Sequence, residues 1–348
     1  MKSKIILETG ESIEGFRLSK SLGCKIGRII FDTRVVGYEK VLTCPEYSDK
    51  IVCLSYPLIG NYGINYEDTE TRNVFPAGLI ISELSLMYSN YRAHTSFEDF
   101  LSNTKICAVS GIDTQYITGK ARDSGNLWGA VVPGDVDIKK TLYEIKVKKE
   151  SGQEEFPHCY VPEERKGIQV AGRPEIAVLN LGLKNSEISF LESSGYGLKI
   201  VDMDEEEMYS KIASSDALYI SSGPESYSLV VRICGLLRKC VGKLPVLGAG
   251  LGHLVLGILL GGEVSGSFVN HYGVNHPVVD IKTKKCIIAE QMHSFILKRE
   301  TLSNEIIRYV HLNDETVEGL FDEKLKAMSV SFIPQKEQFE TFFSLIKG

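Results

Sequence analysis

From Glu175 onward the sequence alternates short apolar runs with segments of helical length, a pattern that admits few folds. EIAVLNLG reads as a strand, SEISFLESSGY as a helix opened by a serine cap, and LKIVDMD as a second strand. An acidic helix, EEEMYSKIASS, follows. Then come the strand DALYISSGPE with its Gly-Pro loop, the helix YSLVVRICGLLRK and the strand LPVLGAG. Such alternation predicts an α/β, doubly wound parallel sheet, in which ligands bind at the carboxyl ends of the strands. Two strand ends therefore matter most, SSGPES and GAGLGH. The second is built like a nucleophile elbow. An apolar strand, Leu244 to Leu247, meets the cluster Gly248-Ala249-Gly250-Leu251-Gly252, and an apolar helical segment runs from Leu254 to Leu260. No serine, cysteine or aspartate stands at the apex.

Residues 1–135 read differently, as a strand-rich unit. KIILETGESIEGFRL suggests two strands and a turn, and GRIIFDT, KIVCLSYP and AGLIISEL are further short apolar runs with turn residues at their ends. TSFEDFLSN opens on a Thr/Ser cap and spaces Phe97, Phe100 and Leu101 as a helix does, and KICAVSGID reads as a strand ending in a glycine turn. Residues 136–173 are charge-dense and predict a helix followed by a linker, with the boundary near Arg173-Pro174.

A net charge of −6 gives no basic footprint for nucleic acid. The apolar stretch Lys243 to Val264 approaches the length of a membrane span, but six glycines, Pro245 and a central His253 fit strand, turn and helix better. The N-terminus lacks a signal-type apolar core, so a cytoplasmic protein is expected. The eight cysteines form no CxxC pair and are expected to be buried, reduced thiols. No clustered ligand set suggests a metal.

In the N-terminal half, GRIIFDTRVVGYEKVLTCPEYSDKIVCLSYPLIGNYGIN carries the elements FxT, GYxxxLTxPxYS and YPxIGNxGxN. GLIISEL, SNYR and the GIDT turn at Gly111 to Thr114 accompany them. In the C-terminal half, SSGPES, LGAGLGH, GVNHPV and QMHSF follow in order. On these strings the chain resembles, over nearly its whole length, the small, glutaminase subunit of carbamoyl-phosphate synthetase. The resemblance implies a strand-rich small-subunit domain at 1–135, a helix and linker at 136–173, and a class I glutamine amidotransferase-like domain at 174–348. It also implies a chemistry: an elbow cysteine attacks the glutamine amide, a histidine supplies the base and a glutamate orients it. Ammonia then passes to a large, ATP-using partner subunit. ATP and magnesium are expected only on that partner, and no cofactor in this chain.

The chain departs from this pattern at each catalytic position. Gly250 stands where the resemblance places the cysteine, and SFIPQ replaces the late HPE motif, with Ile333 for the histidine and Gln335 for the glutamate. Glycine has no side chain to attack with, so loss of all three groups predicts loss of the covalent mechanism. The positions implied for glutamine contact are altered as well. Ser48, Gly223, Leu251 and Phe295 match the family, whereas Glu225, Leu254, Met292 and Ser294 do not. At about 1 kcal/mol or more per lost contact, four changes predict loss of useful glutamine binding.

Other candidates have bland and sharp readings. His253 and His293 match family histidines outside the triad and are expected to be structural, with a rebuilt general base as the alternative. His271 and His276 lack a helical metal-ligand spacing. Cys234 and Cys240, on one expected helix, are core thiols or a relocated nucleophile. Glu225 is a new ligand-binding carboxylate or a solvated loop residue. The acidic runs Asp204 to Glu207 and Glu154-Glu155 read as solvated faces. Tyr38, Tyr56, Pro57, Ile59 and Asn61 lie in family motifs of the domain that the resemblance places against the large subunit, and core packing explains the aromatics equally well. The expected function is that of a non-catalytic small-subunit homologue that binds a large subunit and supports or regulates ammonia-dependent synthesis. The alternative is a stand-alone small-ligand-binding or regulatory protein.

Overall fold

The computed structural model describes residues 2–20, 23–152, 167–203 and 207–347. It forms two units, Met1–Pro157 with Phe268–Gly273, and His158–Ser267 with Val274–Gly348. The expected linker lies largely outside the described residues, as do Glu154-Glu155, Cys159 and most of the run from Asp204.

The first unit is a closed barrel. Around it run Lys2–Leu7, Ser12–Arg17, Cys107–Ser110, Gly78–Ile80, Lys50–Leu54, Lys25–Asp32 and Trp128–Pro133, which returns to Lys2–Leu7. The expected hairpin is present, with Ile5 opposite Ile13. Closure is not visible in the sequence, because it joins Ile5 to Val131 across most of the unit. Ile5, Ile29, Ile51, Ile80, Val109 and Val131 fill the interior. The helix expected in TSFEDFLSN spans Phe97–Ser102, and Ser96 caps it by accepting from Asp99 N. Helices Tyr38–Thr43 and Thr114–Ser124 carried no clear signal; the first follows Gly37, whose φ is 86°. The helix expected after residue 136 spans Ile138–Ser151 and is capped by Asp137.

One buried ion pair fastens the loop after strand Lys25–Asp32. Arg34 Nε donates to Asp32 Oδ1 at 2.9 Å, and the Tyr47 hydroxyl donates to Oδ2 at 2.7 Å. Burial alone raises the Asp32 carboxyl. The Arg34 charge, with the bonds from Arg34 and Tyr47, outweighs that and holds it below the usual carboxylate range.

The second unit holds a sheet with a parallel centre. Glu175–Asn180 pairs in parallel with Gly197–Asp202 and Ala217–Ile220, and Val246–Ala249 joins Ala217–Ile220 to Ala327–Val330. Antiparallel strands, including Val317–Asp322, extend one edge. Apolar cores lie on both faces. Leu229, Ile233 and Val255 come from helices Tyr227–Leu237 and Leu251–Leu259. Ile188, Leu191, Phe339 and Phe342 come from Asn185–Ser193 and Lys336–Lys347. Each fully buried phenylalanine contributes about 2–3 kcal/mol, so Phe339 and Phe342 anchor the last helix. This is the doubly wound α/β class expected from the alternation.

Three local expectations need correction. The helix in SEISFLESSGY starts at Asn185 and has no serine cap; Lys184 N instead donates to Glu187 Oε2 at 3.1 Å, a stronger acceptor than a hydroxyl. The elbow strand is Val246–Ala249, two residues later than expected, and its helix begins at Leu251. Cys24 and Cys286 are exposed, whereas Cys44, Cys53, Cys107, Cys234 and Cys240 are buried.

Candidate functional site

Three neighbouring parallel strands end at one place in the second unit. Ala217–Ile220 runs into the loop Ser221 to Ser226, Val246–Ala249 runs into Gly250, and Ala327–Val330 runs into Ser331 to Gln335. Gly250 has φ 50° and ψ −108°, outside the conformations open to ordinary residues at low cost. Its N–H donates to Val330 O at 2.9 Å, and its carbonyl accepts from His253 N at 3.0 Å. The elbow geometry is thus kept around a residue with no side chain. Close approach requires a second glycine: a Cβ on Gly252 would stand 2.5 Å from Ile220 O, so the helix packs directly on the sheet.

The wall facing Gly250 is Ser222, and a buried carboxylate holds it. Glu187 accepts from the Tyr219 hydroxyl at 2.5 Å, from Ser222 N at 3.3 Å and from Ser222 Oγ at 2.9 Å. Sequence reasoning missed Glu187. Its signal was a glutamate at the third position of a helix, where a carboxylate reaches back to the helix start.

Ile333 and Gln335 follow the third strand. Ile333 is half-buried, and its N–H donates to Glu290 O at 3.0 Å. Its hydrocarbon side chain has no atom that accepts a proton. Gln335 is exposed, and its Nε2 donates to Ile288 O at 2.8 Å. The three positions that the resemblance assigns to the triad therefore carry no nucleophile, base or carboxylate.

Among the pocket positions, Gly223, Leu251, Leu254, Met292 and Ser294 are buried and Phe295 is half-buried, all in the second unit. Ser48 belongs to the first unit, where its hydroxyl donates to Pro45 O at 2.6 Å. Glu225 is not the solvated loop residue of one reading: the side chain is buried, and Oε1 accepts from Ser294 N at 2.6 Å and Phe295 N at 2.8 Å.

His253 is buried, with Nδ1 2.8 Å from Ser329 Oγ and Nε2 3.3 Å from Val317 O. The carbonyl requires a proton on Nε2, so Nδ1 accepts from the serine. Burial pushes the imidazole down to about 4, against a smaller upward pull from Glu318. The ring is therefore neutral near pH 7. His293 Nε2 lies 3.3 Å from Glu318 Oε2, and its Nδ1 lies 3.1 Å from Phe295 O. Glu318 was not foreseen. It is fully buried and accepts from Gln291 Nε2 at 2.9 Å, from Thr316 Oγ1 at 2.6 Å and from Ser331 Oγ. The single charge within the apolar run TVEGLF was its signal.

Cys234 Sγ donates to Val255 O at 3.5 Å, and burial pushes its thiol up to about 11; burial raises the Cys240 thiol too. Burial thus favours the protonated thiol at both positions. His271 is buried within the segment that belongs to the first unit. His276 Nδ1 lies 3.2 Å from His311 Nε2 in the second. In the first unit Tyr38 and Ile59 are core residues, the Tyr38 hydroxyl donating to Gly63 O at 2.6 Å, while Pro57 and Asn61 are exposed.

Restoring a thiol alone is expected to fail. A Cβ at position 250 would meet Ser222 Cβ at 3.0 Å. The backbone strain adds about 1–3 kcal/mol for any non-glycine residue. Gly250→Cys should therefore unfold at lower denaturant than the parent and release no ammonia from glutamine above the parent rate. Ammonia release that rises with the substitution would contradict this.

Comparison with known proteins agrees over both halves. Residues 5–131 match the family model for the carbamoyl-phosphate synthase small chain, CPSase domain, and residues 177–338 match glutamine amidotransferase class-I. The carbamoyl phosphate synthase small chain of Archaeoglobus fulgidus is 31% identical over 336 residues, covering 96% of this chain and 94% of that protein. That of Clostridium perfringens is 32% identical over 337 residues, with 96% and 94% covered. That of Bacillus cereus is 32% identical over 366 aligned residues, with 100% and 97% covered. Likeness of this extent in both halves leaves one assignment: the chain belongs to the carbamoyl phosphate synthase small chain family.

Proposed function

We propose that this chain is a non-catalytic small subunit, which binds a carbamoyl phosphate synthase large subunit and supports or regulates synthesis from free ammonia. The observation that carries the reading is the elbow itself, kept in shape by Gly250 with no group to attack an amide. Ile333 and Gln335 supply no base and no orienting carboxylate. ATP and magnesium belong to the partner in this reading, and this chain holds neither. Ammonia enters the partner's chemistry without being made here.

The first unit carries a surface suited to a partner. Leu58–Ile59 pairs with Glu83–Leu84, and Ser89 N donates to Asn61 O at 3.0 Å, so the two loops form one patch. Leu86, Met87 and Tyr91 stand on it 94%, 83% and 97% exposed. Apolar groups this exposed and this close in sequence mark interaction surfaces. Among the described residues, no helix is long and apolar enough to cross a membrane. The alternative, a small ligand held in the altered pocket of Glu225, Leu254 and Met292, draws no support from Glu225, whose Oε1 already accepts from Ser294 N and Phe295 N.

The test is co-expression with the large subunit of the same source, followed by assay with ATP, bicarbonate and either glutamine or ammonium. Co-purification and product from ammonium alone are expected. Glutamine-dependent product would overturn the non-catalytic assignment, and failure to co-purify would overturn the partner.

A further inference from the structure

Ser294 and Phe295 are consecutive in the strand Cys286–Leu297, yet both N–H groups point at one atom. Consecutive amides of a regular strand face opposite sides. Two that converge make a local concavity of the kind that holds anions. Here the anion is internal. Glu225, 69 residues earlier than Ser294 and at the end of the loop after Ala217–Ile220, places Oε1 on both amides, at 2.6 and 2.8 Å. Charge-assisted bonds are roughly twice as strong as neutral ones. A buried carboxylate without such bonds carries a heavy desolvation cost, so the side chain is held where it sits.

We infer that the paired amides of Ser294 and Phe295 form a small-carboxylate site whose resident ligand is Glu225, and that this side chain keeps the site closed to outside carboxylates, those of amino acids included. The ligand class follows from the occupant, since a glutamate side chain beyond Cα is a propionate. Glu225 thus does more than erode a contact: it takes the place of one. The inference rests on the geometry of the second unit and not on any partner.

The experiment is chemical rescue in the full chain. Glu225→Gly is titrated with sodium propionate against sodium chloride at equal ionic strength, with propionamide as the uncharged control. The variant should melt below the parent, and propionate should raise its melting temperature saturably. The Ser294 and Phe295 amide resonances should return toward their parent positions over the same range. The parent and Glu225→Gln, which keeps a side chain in the seat, should respond to neither compound. An unsaturable rise, an equal rise in the parent, or equal rescue by propionamide would overturn the inference. Should Glu225→Gly not fold, amide exchange in the parent decides: slow exchange at Ser294 and Phe295 is expected, and exchange at the rate of exposed loops refutes the seat. Failure of rescue leaves the partner assignment standing, and failure to co-purify leaves the seat standing.

Discussion

Glu318→Ala is expected to destabilise the second unit by about 3–5 kcal/mol, the range for breaking a buried charged network from one side. The carboxylate is fully buried and accepts from Gln291, Thr316 and Ser331, with His293 Nε2 3.3 Å away. Alanine leaves those donors facing a void, and an orphaned buried donor costs more than the bond it made. In a unit of this size the loss corresponds to roughly 6–20 °C in melting temperature. Glu318→Gln should lose less, because an amide oxygen still accepts. Hydrogen exchange resolved over the strands Cys286–Leu297 and Val317–Asp322 is the measurement of choice, since one melting curve mixes two units. A loss under about 1 kcal/mol would show that the donors find other partners.

Acid should weaken the two units in different pH windows. His253 in the fold titrates at about 4, below its ordinary value of 6.5. Between those values the unfolded chain binds a proton that the folded chain refuses, so stability falls as pH drops through the window. The loss approaches about 3 kcal/mol by its lower end, at 1.36 kcal/mol per unit. Asp32 in the first unit is depressed by Arg34 and Tyr47 against the upward push of burial, so its contribution is complete above the unfolded carboxylate value and lost only below about 4. Glu39, raised by burial, works the other way in that unit and adds stability as pH falls. Trp128, the single tryptophan, lies in the first unit and reports it alone. Protection factors in the strand Val317–Asp322, taken against the intrinsic amide exchange rate at each pH, should therefore fall from pH 6.5 downward while tryptophan emission holds until below 4. His253→Gln should flatten the first change. An unaltered profile in that variant would show that His253 does not titrate as described.

Local features were legible in the sequence and long-range pairings were not. The alternation after Glu175 revealed the doubly wound sheet because each strand and helix announces itself within a few residues. The elbow was readable for the same reason, within a shift of two residues. Barrel closure was hidden because Lys2–Leu7 pairs with Trp128–Pro133, and nothing in either run names the other. Glu225 was misread for a related reason. Its seat lies in QMHSF, far along the chain, so a charged residue in a loop looked solvated. Glu187, among the polar residues of a helix start, and Glu318, a lone carboxylate in an apolar run, were overlooked because each resembles a surface residue until its donors are seen. The patch at Leu86, Met87 and Tyr91 had its outline in the motif residues Pro57 and Asn61, but the sequence does not separate these exposed positions from the core residues Tyr38 and Ile59.

Under the proposed non-catalytic role, the relaxed elbow makes the chemistry hard to regain one step at a time. With glycine at 250 the turn stores no strain, so the chain carries none of the stability debt that a strained site imposes. Any route back begins with a destabilising residue at 250, against the Ser222 wall that Glu187 holds. It also requires a base at 333, a carboxylate at 335 and removal of Glu225 from its seat. None of these changes yields a rate without the others, because groups that act as one unit are not additive. On that reading the neighbourhood of this sequence is a basin with a steep wall toward catalysis, and drift within it leaves the fold intact.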